Sequence, residues 1–443
     1  MSEGTAAEST LARRLGVFDA TMIVMGGIIG SGIFMNPSVV AREVHTPGLI
    51  LLPWILGGAI ALFGAFVYAE LATVRPAAGG QYVYLRDAYH PMVAFLYGWT
   101  LLLVTQTGGM AAVAVTFANY FRELTGATWS PKLIAVMTLG VLTIVNCYGV
   151  RAGSNVQSAL MVTKIAAIAM LVAFGWLGTR AAVAAPTPPA DVRPLIVSIG
   201  AAMVPVLFAY GGWQTASFVS GELKDPRRDL PRGLLIGVIG VVLLYLAVNV
   251  VCLAVLGAGG LAATTTPASE VMRRALGGTG ARLIAAGIAI STVGFLSQGM
   301  LTAPRVYYAM ARDGIFFEPV GRLAQGSRAP VVAIVLQGVW ASVIAISGSY
   351  EKILSYVVAL DAVFFGLTGA SLVVFRRRER ERSEGSFRVA GHPWTTMIFA
   401  IAFWTVAVNT IVHEPTSAGI GVLILLAGVP VYLFWRPRTL AKG

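Results

Sequence analysis

An all-α polytopic membrane protein with twelve transmembrane helices is the fold class this sequence predicts, on three observations. Of 443 residues, 57% are hydrophobic and only 12% are charged, against roughly 25% charged in an ordinary soluble domain. Apolar runs recur along the whole chain, each near the roughly 20 residues a helix needs to cross about 30 Å of hydrocarbon. The predicted spans are 17–42, 49–74, 92–121, 132–149, 154–178, 196–222, 232–257, 281–311, 329–348, 353–375, 395–413 and 418–435. Third, the charges alternate between loops. With Arg13 and Arg14 inside, 22 of the 32 Lys and Arg residues fall in inner loops and nine in outer loops, leaving Lys164 alone within a span. This bias follows the positive-inside rule and places both termini in the cytoplasm. One span more or fewer would scramble it.

The remaining composition narrows the class further. The net charge of +12 is dispersed over many short loops, so it reads as topology and argues against a nucleic-acid partner. Residues 1–14 are polar and the first apolar run exceeds a signal-peptide core, so a cytoplasmic tail and a plasma (inner) membrane location are expected. Cys147 and Cys252 each stand alone in an apolar run, so no disulfide framework is expected.

In chain order, the first span carries the strongest local signal. GGIIGSGIFMN, residues 26–36, places four glycines and a serine within seven positions. Small residues are common where membrane helices pack closely, which suffices for scattered pairs such as Gly57–Gly58 and Gly108–Gly109. The density here predicts an unwound stretch instead. Glu70 closes the second span, and the short amphipathic segment 77–91 follows as an interfacial gate with Tyr82 or Tyr84 near the mouth. Gln106 in the third span and Gln298 in the eighth either face a pathway or bond a neighbouring helix. Lys164 lies ten residues into the fifth span, roughly 15 Å deep at 1.5 Å per residue. That depth is too great for snorkelling. A lysine there costs about 2.5–3.5 kcal/mol on insertion scales, so a compensating role is expected.

The sixth span repeats the first span's signal. VPVLFAYGGWQTASFVSGE, residues 204–222, places Pro205 ahead of Gly211–Gly212. The following GELKDPRRDLPRG, beginning near Glu222, predicts an inner ion-pair network. Asp361 in the tenth span is an intramembrane acid: proton coupling is one role, and a helix–helix hydrogen bond or a wet-cavity position is the blander one. Arg376–Arg378 reads as a topology anchor.

Each interruption opens a set of five spans, and such matched interruptions point to a transporter's midplane binding site. Unwound backbone in hydrocarbon is tolerated only where it lines a wet cavity or meets a ligand. Bare amides opening a half-helix suit a carboxylate, and bare carbonyls closing the opposing half-helix suit an ammonium. Two broken helices side by side therefore form a receptor for a zwitterion, an α-amino acid. No cofactor and no metal is implied.

GGIIGSGIFMNP, FAYGGWQT, GELKDPRRDLPRGL and APRVYYAMARDGIFF resemble the amino acid–polyamine–organocation superfamily, in the right order and from about residue 15 to 435. The combination is most similar to bacterial members of its L-type amino acid transporter branch. The resemblance implies a five-plus-five inverted repeat with discontinuous helices 1 and 6. The tail 1–14 then precedes a first repeat over 15–180. A second repeat covers 190–378, with two further helices over 390–436 and a tail at 437–443. It implies carboxylate binding by Gly30, Ser31 and Gly32 with the Ile28 carbonyl nearby, and ammonium binding at Phe208, Ala209 and Gly211. Phe208 is then the gate, and Tyr210, Gly212 and Trp213 shape the side-chain pocket. Lys164 replaces the sodium ion of coupled relatives and tethers the first helix to the fifth and eighth, which implies sodium-independent transport.

Rival classes lack their signals. No G-x-S-x-G or H-E-x-x-H motif occurs, and the four histidines lie far apart in loops or at span ends, so an enzyme is not expected. A receptor or scaffold needs neither matched breaks nor a midplane lysine, and a channel would show a filter. No acid or base lies near Ile28–Asn36 or Phe208–Trp213, which predicts a neutral L-amino acid with a small to medium side chain. Exchange suits the resemblance; proton symport, or transport of cationic amino acids or polyamines, is the alternative. Mammalian L-type members carry a disulfide-linked glycoprotein partner through a cysteine between helices three and four. Here 121–132 holds no cysteine, so no such partner is expected and a functional monomer in the lipid bilayer is.

Overall fold

The computed structural model describes residues 15–77, 79–148, 150–177, 194–325, 327–347, 350–378, 387–413 and 415–435. The predicted tails and the whole of 178–193 lie outside them. Among the described residues the regular structure is helical. The first predicted span divides into α1 (Val17–Ile28) and α2 (Gly32–Val44), separated by residues 29–31. Next come α3 (Pro47–Val74), the short α4 (Gln81–Ala88) and α5 (Pro91–Thr100). A π-helical turn at Leu101–Thr105 joins α5 to α6 (Gln106–Thr125). Then follow α7 (Pro131–Cys147), α8 (Val150–Leu177), α9 (Leu195–Tyr210) and the four-residue α10 (Thr215–Phe218). The remainder comprises α11 (Pro226–Ala263), α12 (Pro267–Thr302), α13 (Pro304–Arg312), α14 (Val331–Ser347), α15 (Tyr350–Arg378), α16 (Trp394–His413) and α17 (Pro415–Trp435).

Nine helical stretches among the described residues are long and apolar enough to cross a membrane, and α7, α9 and α14 are shorter apolar helices. Their outer faces carry the expected apolar exposure: Ile144 is 60% exposed, Val408 60% and Leu423 68%. Such a surface suits lipid and not water.

Three features were not anticipated. The region 258–280, expected as loop, is largely helical. Gly257 (φ +67°) and Gly277 (φ +66°) kink α11 and α12, so α11 ends in a short helix beyond its bend and α12 begins with one before its bend. Glycine allows that left-handed turn where a side chain would strain it. The eighth span is interrupted before Pro304, which starts α13. Finally, the third span contains the π turn, with Thr107 Oγ1 donating to the Leu102 carbonyl at 2.7 Å. A π turn displaces the following residues around the helix axis, and here it falls beside the candidate site.

The broken helices sit at the centre of the bundle. α2 packs along α9, and α1 packs against α10 and α11. α3 covers α11, α8 covers α12, and α15 pairs with α16.

Candidate functional site

The two breaks approach each other backbone to backbone. Gly212 adopts φ +112°, and a Cβ placed there would lie 2.0 Å from the Gly27 carbonyl oxygen. The reverse substitution at Gly27 would put a Cβ 2.5 Å from the Gly212 carbonyl oxygen, and one at Gly32 would fall 2.7 Å from the Ala209 Cα. Only glycine permits this contact. Asn36 Nδ2 adds a 2.6 Å hydrogen bond to the Pro205 carbonyl, holding α2 to α9.

Donors come from the start of α2. The first turn of any helix leaves amide N–H groups without intrahelical acceptors, and here that turn is buried. Ser31 makes no side-chain cap, and its Oγ is buried without a hydrogen-bond partner. Gly30, Ser31 and Gly32 all line a cavity of about 70 Å³ between the breaks. An anionic group seated there gains the free amides of that turn and the positive end of the helix dipole, while the Gly30 amide is already directed to the Ile28 carbonyl.

The acceptors are more committed than the sequence suggested. The Ile28 carbonyl accepts from the Gly30 amide at 2.9 Å and from the Tyr245 hydroxyl at 3.0 Å. Both of its acceptor positions are therefore taken. Tyr245 Oη also reaches the Ala209 carbonyl at 3.2 Å. Ala209 keeps one acceptor position, because α9 ends at Tyr210 and no further helical turn follows. The Phe208 carbonyl accepts from the Gly211 amide at 3.2 Å.

Of the residues singled out from the sequence, Ile28, Gly30, Ser31, Gly32, Phe208, Ala209, Gly211 and Gly212 line the cavity. Tyr210 does not. Its side chain is fully buried on the far side of α9, with Oη donating to the Trp54 carbonyl at 3.1 Å and its ring against Trp54 and Tyr245. A helix turns 100° per residue, so neighbours of cavity-facing residues point elsewhere. Trp213 is likewise buried, stacked on Phe365 with ring centroids 5.0 Å apart. Gln106 and Gln298 both line the cavity, and Gln298 Nε2 also donates to Thr215 Oγ1, which in turn donates to the Gly212 carbonyl.

Sequence reasoning missed several cavity or scaffold residues. Phe295 of α12 faces Gly30, its ring 3.0 Å from where a Gly30 Cβ would sit. Tyr245 bridges the two breaks, and Gly27 forms half of their contact. Phe295 and Tyr245 had no local signal, since an aromatic in an apolar run looks like packing until its partners are known; Gly27 lay in the first span's glycine run, which did not say what it would touch. Asp361 had been noticed but stood 150 residues from the pocket segments. The structure brings it into the cavity wall from α15, so the cavity does contain an acid.

Lys164 is fully buried. Its ammonium donates to the Ile29 carbonyl at 2.8 Å and lies 3.5 Å from the Gly26 carbonyl. Those are carbonyls of the α1 break, where the helix dipole ends negative and favours a cation. Its Cε would stand 2.9 Å from a Cβ at Gly294 of α12. The lysine of α8 therefore spans α1 and α12.

One end of the bundle is closed by ion pairs. Arg305 Nε meets Glu222 Oε1 at 3.1 Å, with both side chains buried. Glu70, fully buried, accepts from Arg376 at 2.9 and 2.6 Å and from the Val389 amide at 2.7 Å. Arg86 and the Tyr82 hydroxyl share Asp313, each at 2.6 Å, and Arg75 holds Asp87 at 3.0 Å. Leu15 also bridges to this region, its amide donating to the Glu222 carbonyl at 3.0 Å. Removing one member of a buried pair strands the other. Arg305→Ala is therefore expected to cost about 3–5 kcal/mol of stability, measured by thermal unfolding in detergent. Pairing it with Glu222→Leu should recover most of that loss; an unrecovered double variant would show that Arg305 acts through other contacts.

Comparison with known proteins accords with this architecture. The amino acid permease family profile matches residues 15–434. The chain is 29% identical to the serine/threonine exchanger SteT of Bacillus subtilis (strain 168), over 97% of this chain and 98% of that protein. It is 29% identical to the human large neutral amino acids transporter small subunit 2, over 97% of this chain and 82% of that one. The mouse Asc-type amino acid transporter 1 is 26% identical over 97% and 82%.

Proposed function

The chain belongs to the amino acid permease family, and from that premise we propose that it is a sodium-independent exchanger of neutral L-amino acids, favouring small to medium side chains. The observation that carries this reading is the buried first turn of α2, whose Gly30, Ser31 and Gly32 face a cavity with an unpartnered Ser31 hydroxyl. That turn receives the substrate carboxylate, and the Phe208–Ala209 end of α9 receives the ammonium. Phe208, on the cavity wall, is the gate. Likeness to a serine/threonine exchanger and to a neutral amino acid transporter supports both the substrate class and exchange.

The reading includes twelve spans, with the three shorter apolar helices counted among them. It also includes an inverted repeat of 15–180 and 190–378, followed by the pair at 390–436. Helices at matching places pack together, α3 on α11, α6 on α12 and α7 on α14, as elements related by a two-fold axis do. Both termini then face the cytoplasm of the inner membrane, and the ion-paired end is the inner gate that opens during alternating access. Lys164 occupies the place of a coupling cation, which is why sodium is not needed. The protein works as a monomer without a disulfide-linked partner.

Proteoliposome uptake tests this. Labelled alanine and serine should enter vesicles preloaded with unlabelled amino acid, equally in sodium and choline buffers, and enter empty vesicles far more slowly. Uptake into empty vesicles driven by a proton gradient would replace exchange with symport. A sodium requirement would remove the role given to Lys164.

A further inference from the structure

We infer that Asp361 sets the side-chain selectivity of the site by accepting a hydrogen bond from a donor on the substrate side chain, such as the hydroxyl of serine or threonine. The inference rests on the exchanger reading above. With the substrate's carboxylate at the α2 turn and its ammonium at the end of α9, the side chain meets the remaining wall, built by α6, α12 and α15. On that wall Asp361 is the single ionisable side chain among the lining residues. Its immediate neighbours on α15, Val357, Val358 and Phe365, also line the cavity and are apolar. Gln106 and Gln298 share the cavity wall as neutral amides, weaker acceptors than a carboxylate, and Gln298 Nε2 is engaged with Thr215.

A carboxylate only accepts hydrogen bonds. Thr105 of the π turn, also on the cavity wall, lies beside Asp361; an apolar substrate side chain displaces water from the carboxylate and adds no donor, whereas a hydroxyl supplies a further one. The same group repels an acidic side chain. A site built around a substrate donor discriminates strongly against the isostere that lacks it.

The test compares isosteric pairs that differ only in that donor: serine with 2-aminobutyrate, and threonine with valine. Exchange of alanine, which has no side-chain donor, is measured first and reports on the exchanger reading alone. The wild-type protein is expected to prefer the hydroxyl member of each pair by about tenfold or more. Asp361→Leu should bring that ratio close to one, whatever its absolute rate, and Asp361→Asn, which keeps an acceptor oxygen, should retain part of it. A wild-type ratio near one, or a wild-type ratio preserved in Asp361→Leu, overturns the inference. A merely structural role for Asp361 would lower all four substrates together and leave the ratios unmoved, which also overturns it. If Asp361→Leu does not fold, ligand-induced thermal stabilisation of the wild type and Asp361→Asn gives the same ratios. Absence of alanine exchange in the wild type would instead overturn the exchanger reading.

Discussion

Alanine at Gly212 is expected to abolish exchange and to lower stability by about 3 kcal/mol or more, combining left-handed backbone strain with overpacking. At φ +112° the residue has a backbone that L side chains rarely adopt, and the new methyl would stand 2.0 Å from the Gly27 carbonyl oxygen. Neither atom can yield cheaply, because the methyl is fixed rigidly to the Cα and the oxygen belongs to backbone. The breaks would have to separate, carrying the α2 turn away from the end of α9. Gly27→Ala should behave similarly, with its Cβ 2.5 Å from the Gly212 carbonyl oxygen. Gly140→Ala is the control: a Cβ there meets nothing within 4 Å, and the change should be neutral or stabilising by under about 1 kcal/mol. Thermal unfolding in detergent and alanine exchange in proteoliposomes read both effects. Wild-type exchange by Gly212→Ala would mean that the two breaks do not touch in the working protein.

Lys164→Met is expected to reduce exchange at least tenfold while leaving a folded protein. Methionine matches the length and apolar stem of lysine but removes the ammonium. The Ile29 carbonyl then loses a 2.8 Å charge-assisted hydrogen bond, an interaction worth about 1.5–3 kcal/mol, and the break of α1 loses its link to α8. Folding suffers less, because burying a neutral side chain in this setting relieves the desolvation cost of the charge. The two losses therefore separate: melting temperature changes little while turnover collapses. Unchanged turnover in Lys164→Met would leave the lysine a packing residue.

Much of this is legible in the sequence. Composition and charge alternation indicated a polytopic helical membrane protein. The glycine clusters at 26–32 and 211–212 marked the places where the structure breaks its helices, at residues 29–31 and 211–214. Those signals are local: a run of glycines unwinds a helix because of its own backbone freedom. Lys164 was conspicuous for an equally local reason, since a charge at the midplane demands a partner. The short helices after Gly257 and before Gly277 escaped notice because their sequences are neither apolar enough for a span nor rich enough in turn residues for a loop.

What the sequence determined alone was therefore the helical membrane class, the two interruptions, the midplane lysine and the residues flanking each break. Which carbonyls remain available, which way Tyr210 points and what else lines the cavity were decided by tertiary structure. Tyr245 reaches Ile28 and Ala209 from 217 and 36 residues away, and Asp361 arrives from α15 beside segments it never neighbours in the chain. Hydrogen bonds and cavity walls form across distances of about 3 Å in space, and no spacing along one chain encodes which distant helix will supply the other side.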